Sequence, residues 1–196
     1  MLIATPHETP ATGELANWYD SQTKNWGYLP NYAPIFASRP DVAAAWANLN
    51  LTIRGGMDRR RFELATIAAS RALRCTYCLA AHSVMLRDVI HDEDTMRAVA
   101  GDPSGETLDP QDQAIVQFAT KVATDPVGID AADVAQLKDH GLTDADVADL
   151  IFAVAARCFF ATVLDGAGAE ADHELAESFD PAVRDQLTVG RPFAAG

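Results

Sequence analysis

Cysteine is scarce in this chain, three residues in 196, too few for the disulfide framework that staples small secreted domains. Two of the three nonetheless stand together, as Cys75 and Cys78. Alternating runs of β-branched residues are missing, glycine is sparse inside the periodic segments and alanine is abundant, which excludes a sheet-based fold and leaves an all-α one. Basic charge is also short. With 15 Lys and Arg against 28 Asp and Glu the formal net charge is −13, and such a surface repels phosphate backbones and anionic head groups. No nucleic-acid partner is expected. The opening MLIATPHETP lacks the basic and apolar regions of a secretory leader, so the expected location is cytoplasmic. The longest apolar run, VADLIFAVAARCFFATVL, is broken by Asp149 and Arg157 and closed by Asp165, and reads as a buried core helix rather than a membrane span.

What is present suits one domain over residues 1–196, long enough to bury roughly 70% of the surface of the unfolded chain. Boundary signals divide it into six to eight helices. Asp41 after Pro40 opens a helix that ends at Gly55 and Gly56, and Asp58 caps the next. Asp109, Pro110 and Asp112 supply a cap, a first-position proline and an acid in the first turn. Gly141 ends a helix begun after Asp130, and Thr143 with Asp146 resembles a capping box. Three regions follow: an N-terminal arm and first helix over 1–40, a helix pair over 58–91 and C-terminal helices over 109–170. KNWGYLPNYAPIFASRP reads as an ordered arm that packs on the core, meets another subunit or covers a site. GDPSGETLD reads as a loop and the stretch after Pro181 as a loosely held tail.

The chemistry concentrates in ELATIAASRALRCTYCLAAHS, which holds Glu63, Cys75, Cys78 and His82. On a helix Cys75, Cys78 and His82 fall within an arc of roughly 60°. A break near Arg74 would put Cys75 at a helix N-terminus, where free N–H groups favour a thiolate. Glu63, on the preceding helix, would fold back beside the cysteines or else pair with Arg59 in solvent. A thioredoxin-like site needs strands, and covalent haem needs a histidine where Leu79 stands. Zinc held by Glu63, Cys75, Cys78 and His82 stays open as a stabilised, non-catalytic alternative. So does a redox-active dithiol needing no cofactor. If the substrate is a peroxide, an acid that protonates the departing alkoxide is worth about 10²–10⁴-fold; His82 can carry that proton and Glu63 can orient and charge the imidazole.

With Glu63, eleven residues, Cys75-Thr76-Tyr77-Cys78, three residues and His82, the sequence resembles the alkylhydroperoxidase D and carboxymuconolactone decarboxylase family, over roughly residues 25–175. The resemblance implies a homo-oligomer, trimer or hexamer, that reduces organic hydroperoxides with electrons from a thiol or lipoyl-type reductant. It implies Cys78 as peroxidatic thiolate, Cys75 as resolving thiol, and His82 with Glu63 as proton relay. Tyr77 stands where well-known peroxidases of the family have a second histidine, and its phenol is a possible auxiliary donor. The decarboxylase branch acts on a lactone acid, and the sequence displays no convergent arginine or histidine set to hold one.

Other residues read as structural. Cys158 reads as buried packing, and Arg157 as partner of a buried carboxylate or of another subunit. His91, His140 and His173 read as surface or capping residues, and His7 as part of a mobile terminus. Trp18, Trp26 and Trp46 read as core or interface anchors, and Phe62 and Leu64 as helix packing or the lining of an approach.

Overall fold

The computed structural model describes residues 1–3, 11–102 and 104–196, so His7 lies outside the described residues. Ten helices form among them: α1 (Gly13–Trp26), α2 (Pro40–Gly56), α3 (Arg59–Ala72), α4 (Thr76–Asp88), α5 (Glu93–Gly101), α6 (Pro110–Thr124), α7 (Ala131–Asp139), α8 (Asp144–Ala167), α9 (His173–Glu177) and α10 (Pro181–Leu187). The fold is all-α, as expected. The count exceeds six to eight because two short helices, α9 and α10, follow the long one.

The centre of the molecule is α3. Every residue from Phe62 to Ser70 is buried, because α4, α6 and α8 pack around this helix on several sides. Its start is fixed by Asp58, whose carboxylate accepts the Arg61 N–H at 2.9 Å. Its end is equally local. Arg74 takes φ 58°, a left-handed conformation that halts the helix, and the Cys75 N–H donates to the Ser70 carbonyl at 2.9 Å. The chain turns, and Cys75 becomes the N-cap of α4.

The longer helices start as their sequences dictate. Asp109 accepts the N–H groups of Gln111 and Asp112 ahead of Pro110, and Thr143 and Asp146 form a reciprocal capping box at α8. Length and apolar composition alone would let α8 cross a membrane, contrary to the reading that its charges forbid it. Its packing answers the question instead: Leu150, Val154, Ala161 and Leu164 are buried in the shared core, whereas Ile151, Phe152 and Phe159 are exposed.

The arm between α1 and α2 is ordered, with Tyr32, Ala33, Ile35 and Phe36 buried. Trp18 of α1 donates its indole N–H to the Ala33 carbonyl at 3.0 Å and holds the arm down. The end of the chain is not the loose tail expected after Pro181. Asp180 caps α10, Val183 and Leu187 are buried, and the Val189 and Gly190 N–H groups donate to the Thr76 hydroxyl at 3.2 and 3.0 Å. The apolar spacing of a seven-residue helix is too short to register as periodicity. This tail therefore braces the N-terminus of α4, where the cysteines stand.

Candidate active site

The α3–α4 turn brings together the four residues singled out from sequence. Glu63 is fully buried and has two partners: Arg59 Nε donates to its Oε1 at 2.6 Å and His82 Nδ1 meets its Oε2 at 2.6 Å. Glu63 is folded inward on the α4 side and also pairs with Arg59, but not in solvent as the second reading had it, since its carboxylate is buried. Burial alone would raise its pKa, but the His82 N–H and the Arg59 guanidinium overcome that and keep it ionised. A carboxylate can only accept, so Nδ1 carries the proton and Nε2 is the basic nitrogen of the ring. Burial and the nearby charge of Arg157 push the pKa of His82 down. Glu63 itself favours the charged ring through its charge and hydrogen bond, but burial and Arg157 outweigh it.

Cys75 and Cys78 are both free and buried and stand close enough for the Cys75 thiol to bond to a Cys78 thiolate. Their acidities diverge. The bond from Cys75, with Arg157 adding its charge against the penalty of burial, lowers Cys78 to about 7. The same bond and burial push Cys75 far up, so it keeps its proton. Cys78 also lies in the first turn of α4, where the helix dipole favours negative charge. Asp165, itself raised by burial, is in hydrogen-bond contact with Cys75.

Arg157 is the functional residue that sequence reasoning left unassigned. It is buried in α8, and its Nη1 donates to Cys78 Sγ at 3.5 Å, across 79 residues of sequence. It neutralises a sulfur rather than a carboxylate. The available signal was an arginine in the middle of an otherwise apolar helix, which must find a negative partner or be expelled. Among the described residues no hydrogen bond joins His82 to Cys78; both line one cleft.

Tyr77 points its chemistry elsewhere. Its hydroxyl donates to buried Asp172, which also accepts from Tyr28 at 3.1 Å and from the Asn31 N–H at 2.7 Å. Burial raises the Tyr77 pKa first and Asp172 adds to it. The phenol therefore ties α4 to the arm. Of the other residues, Phe62 is buried and meets the His82 ring edge-on, Leu64 is core, and Cys158 is only partly buried. His140 caps α7, His173 pairs with Glu177 and His91 holds φ 60°.

A metal cage does not fit these residues. Among the described residues no three His, Cys, Asp or Glu side chains gather as potential ligands. Glu63 and His82 are committed to each other, and a guanidinium sits on Cys78, where a cation would be repelled.

The cleft beside Cys78 has a volume of about 420 Å³, within the usual range for small-molecule sites. Trp46 stacks on Phe160 at 3.9 Å between ring centroids, Trp26 donates to the Tyr32 hydroxyl at 3.1 Å, and these aromatics form its apolar side. Trp18, Trp26 and Trp46 all line it, so the tryptophans shape a site as well as a core. Its polar side carries Arg54, Arg59, Arg157 and His82. The absence of a convergent basic set in the sequence is thereby corrected: Arg54 and Arg59 stand close together at the end of α2 and the start of α3, and the fold brings Arg157 to them from α8, far along the chain.

Residues 40–104 match the model of the carboxymuconolactone decarboxylase family. An alkyl hydroperoxide reductase of Mycobacterium tuberculosis is 33% identical over 105 residues, which cover 48% of this chain. The match spans about a third, 30%, of that relative's length. An alkylhydroperoxidase AhpD core, an uncharacterized peroxidase-related protein from Ralstonia eutropha JMP134, superposes with TM-score 0.79 at 24% identity, covering 89% of this chain and 93% of its own. A peroxidase-related protein from Silicibacter sp. TM1040 has TM-score 0.79 at 20% identity, covering 89% and 93%. A debrominase in complex with 2,3,4-tribromopyrrole has TM-score 0.75 at 16% identity, covering 93% and 96%. The three structures share the all-α fold.

Proposed function

We propose that this chain belongs to the AhpD-like branch of the carboxymuconolactone decarboxylase family and is a thiol peroxidase that reduces organic hydroperoxides. One observation carries the reading: Cys78, lowered to about 7 by Cys75 and Arg157, lines an aromatic cleft while its neighbour stays protonated. About half of Cys78 is then thiolate at pH 7, against a few per cent for an ordinary cysteine.

The Cys78 thiolate attacks the outer peroxide oxygen. The O–O bond breaks, Cys78 becomes a sulfenic acid, and the departing alkoxide takes a proton and leaves as the alcohol. His82 is the group on the cleft that can relay that proton through Nε2, with Glu63 holding the ring in the required tautomer. Arg157 shields the negative charge as it moves from sulfur to oxygen. The Cys75 thiol then attacks the sulfenic sulfur, a disulfide forms and water leaves. Two thiols and one hydroperoxide give one disulfide, one alcohol and one water.

A thiol or lipoyl-type reductant would reopen the disulfide. The exposed Ile151, Phe152 and Phe159 on α8, with Leu49 and Leu51 on α2, supply the apolar surface that a trimer or hexamer would cover.

The test is intact mass of reduced protein before and after one equivalent of cumene hydroperoxide. Wild type should lose about two mass units, Cys75→Ser should trap one oxygen, and Cys78→Ser should remain unchanged. Unmodified wild type would overturn the proposal. The basic cleft gives the lactone-acid decarboxylase reading one supporting observation. Turnover of carboxymuconolactone that survives loss of both cysteines would establish it instead.

A further inference from the structure

The chain has 28 acidic residues, yet among the described residues none of them lines the cleft, whereas three arginines and a histidine do. Glu63, reached from behind through Arg59 and His82, offsets one of these charges. His82 is held neutral, and Asp165 and Asp172 lie on the far side, against Cys75 and Tyr77. Arg157 faces Cys78 and Arg59 faces Glu63. Arg54 forms no ion pair among the described residues; it is half-buried, and burial and the charge of Arg59 outweigh the pull of the more distant Glu63 carboxylate on it. A partly desolvated guanidinium beside like charge needs an anion.

A second observation points the same way. Four buried side-chain nitrogen or oxygen atoms lack a hydrogen-bond partner among the described residues, and three of them belong to residues lining this cleft: Trp46 Nε1, Asn50 Oδ1 and Arg157 Nε. Arg157 is only 3% exposed. Buried polar atoms are rarely left unpaired, and their concentration here marks a place where a ligand completes the hydrogen bonding. Two of the three are donors, which an oxygen-rich group satisfies. The stacked Trp46 and Phe160 close on each other and offer the cleft an apolar wall, against which a flat apolar body can lie.

We infer that the preferred substrate of this site is a carboxylate-bearing hydroperoxide with an apolar, preferably aromatic body, its carboxylate held by Arg54 at one end of the cleft and its peroxide facing Cys78 and Arg157 at the other. This rests on the peroxidase reading. The acidic surface does not forbid it, since its repulsion is screened beyond about 8 Å at physiological salt and a basic cleft acts at shorter range.

The experiment compares cumene hydroperoxide with its para-carboxylated counterpart, which share the ring and the O–O group. Single-turnover oxidation of pre-reduced protein is timed with each, and each rate is divided by that with free cysteine. The carboxylated compound should react about tenfold faster or more, as for a charge-assisted bond. Arg54→Gln should bring the ratio near one, and Arg54→Lys should restore part of it. A ratio near one in wild type, or one unchanged in Arg54→Gln, overturns the inference. If neither peroxide oxidises Cys78, the peroxidase reading fails, and calorimetric binding of para-isopropylbenzoate to wild type and Arg54→Gln decides the anion site alone. Binding weakened about tenfold by the substitution upholds that site, and no binding, or equal binding, rejects it.

Discussion

Replacing Arg157 by methionine isolates the contribution of one guanidinium to the reactivity of Cys78. The side chain fills similar space, loses its charge and removes the hydrogen bond to the sulfur at 3.5 Å. A hydrogen bond to a charged group contributes about 1.5–3 kcal/mol, and one pKa unit corresponds to about 1.4 kcal/mol. The midpoint of Cys78 should therefore rise from about 7 by about one to two units. At pH 7 its thiolate fraction would fall from about half to between about a tenth and about a hundredth. The rate at that pH falls less, since a more basic thiolate is a better nucleophile with a Brønsted slope of about 0.4–0.5 in thiol exchange.

The informative quantity is thus the pH profile. The ultraviolet absorbance of the thiolate and the single-turnover rate with cumene hydroperoxide should both titrate at higher pH in Arg157→Met, in a Cys158→Ser background. The two readouts separate two roles of the arginine. The absorbance midpoint reports the ground-state thiolate, whereas the rate at high pH, where both proteins are fully ionised, reports help given to the departing oxygen. A midpoint within about 0.3 units of wild type, in a variant with unchanged helical signal, would refute the assignment of Arg157 as the charge partner of Cys78.

Three further outcomes follow from the same geometry. Cys75→Ala should raise the Cys78 midpoint more than Arg157→Met does, because the bond from Cys75 is the larger cause of its lowering; an equal or smaller rise in the same titration would count against the dithiol bond. Glu63→Gln should destabilise the fold by about 1–3 kcal/mol in denaturant at pH 7, discounted because Arg59 is partly exposed. Since the folded pKa of Glu63 is lowered, its contribution is present above the ordinary glutamate range and is lost as pH falls through the folded value. The gap to wild type should therefore narrow in acid, and a gap constant with pH would argue against an ionised Glu63. Thr76→Val should cost about 1–2 kcal/mol and speed hydrogen exchange at Val189 and Gly190, which donate to that hydroxyl; unchanged exchange would mean that the tail is held by its apolar contacts alone.

What could be read in advance divides by the range of the interaction. Helix boundaries are decided within a few residues, so Asp58, Asp109 with Pro110, and Thr143 with Asp146 gave the starts of α3, α6 and α8. The break at Arg74 and the pairing of Glu63 with the α4 side followed from the same local logic, across 19 residues. Arg157 did not, because its meeting with Cys78 depends on where α8 crosses α4. The buried Asp172, accepting from Tyr77, Tyr28 and Asn31, was hidden for the same reason.

Net charge is a sum and says little about any one site. A net charge of −13 describes the field far from the molecule, to which exposed helix caps such as Asp58, Asp109 and Asp130 contribute. The floor of a cleft is governed by the few groups that line it, in a medium where each charge acts more strongly than in water. Arg54 on α2, Arg59 on α3 and Arg157 on α8 contribute almost nothing distinctive to the composition, yet together they make the lining of one cleft basic. An acidic chain can therefore hold a basic site. In this one the same arginine that stabilises the Cys78 thiolate also contributes to the field that would draw an anionic substrate towards it, so thiol acidity and substrate charge are coupled through Arg157.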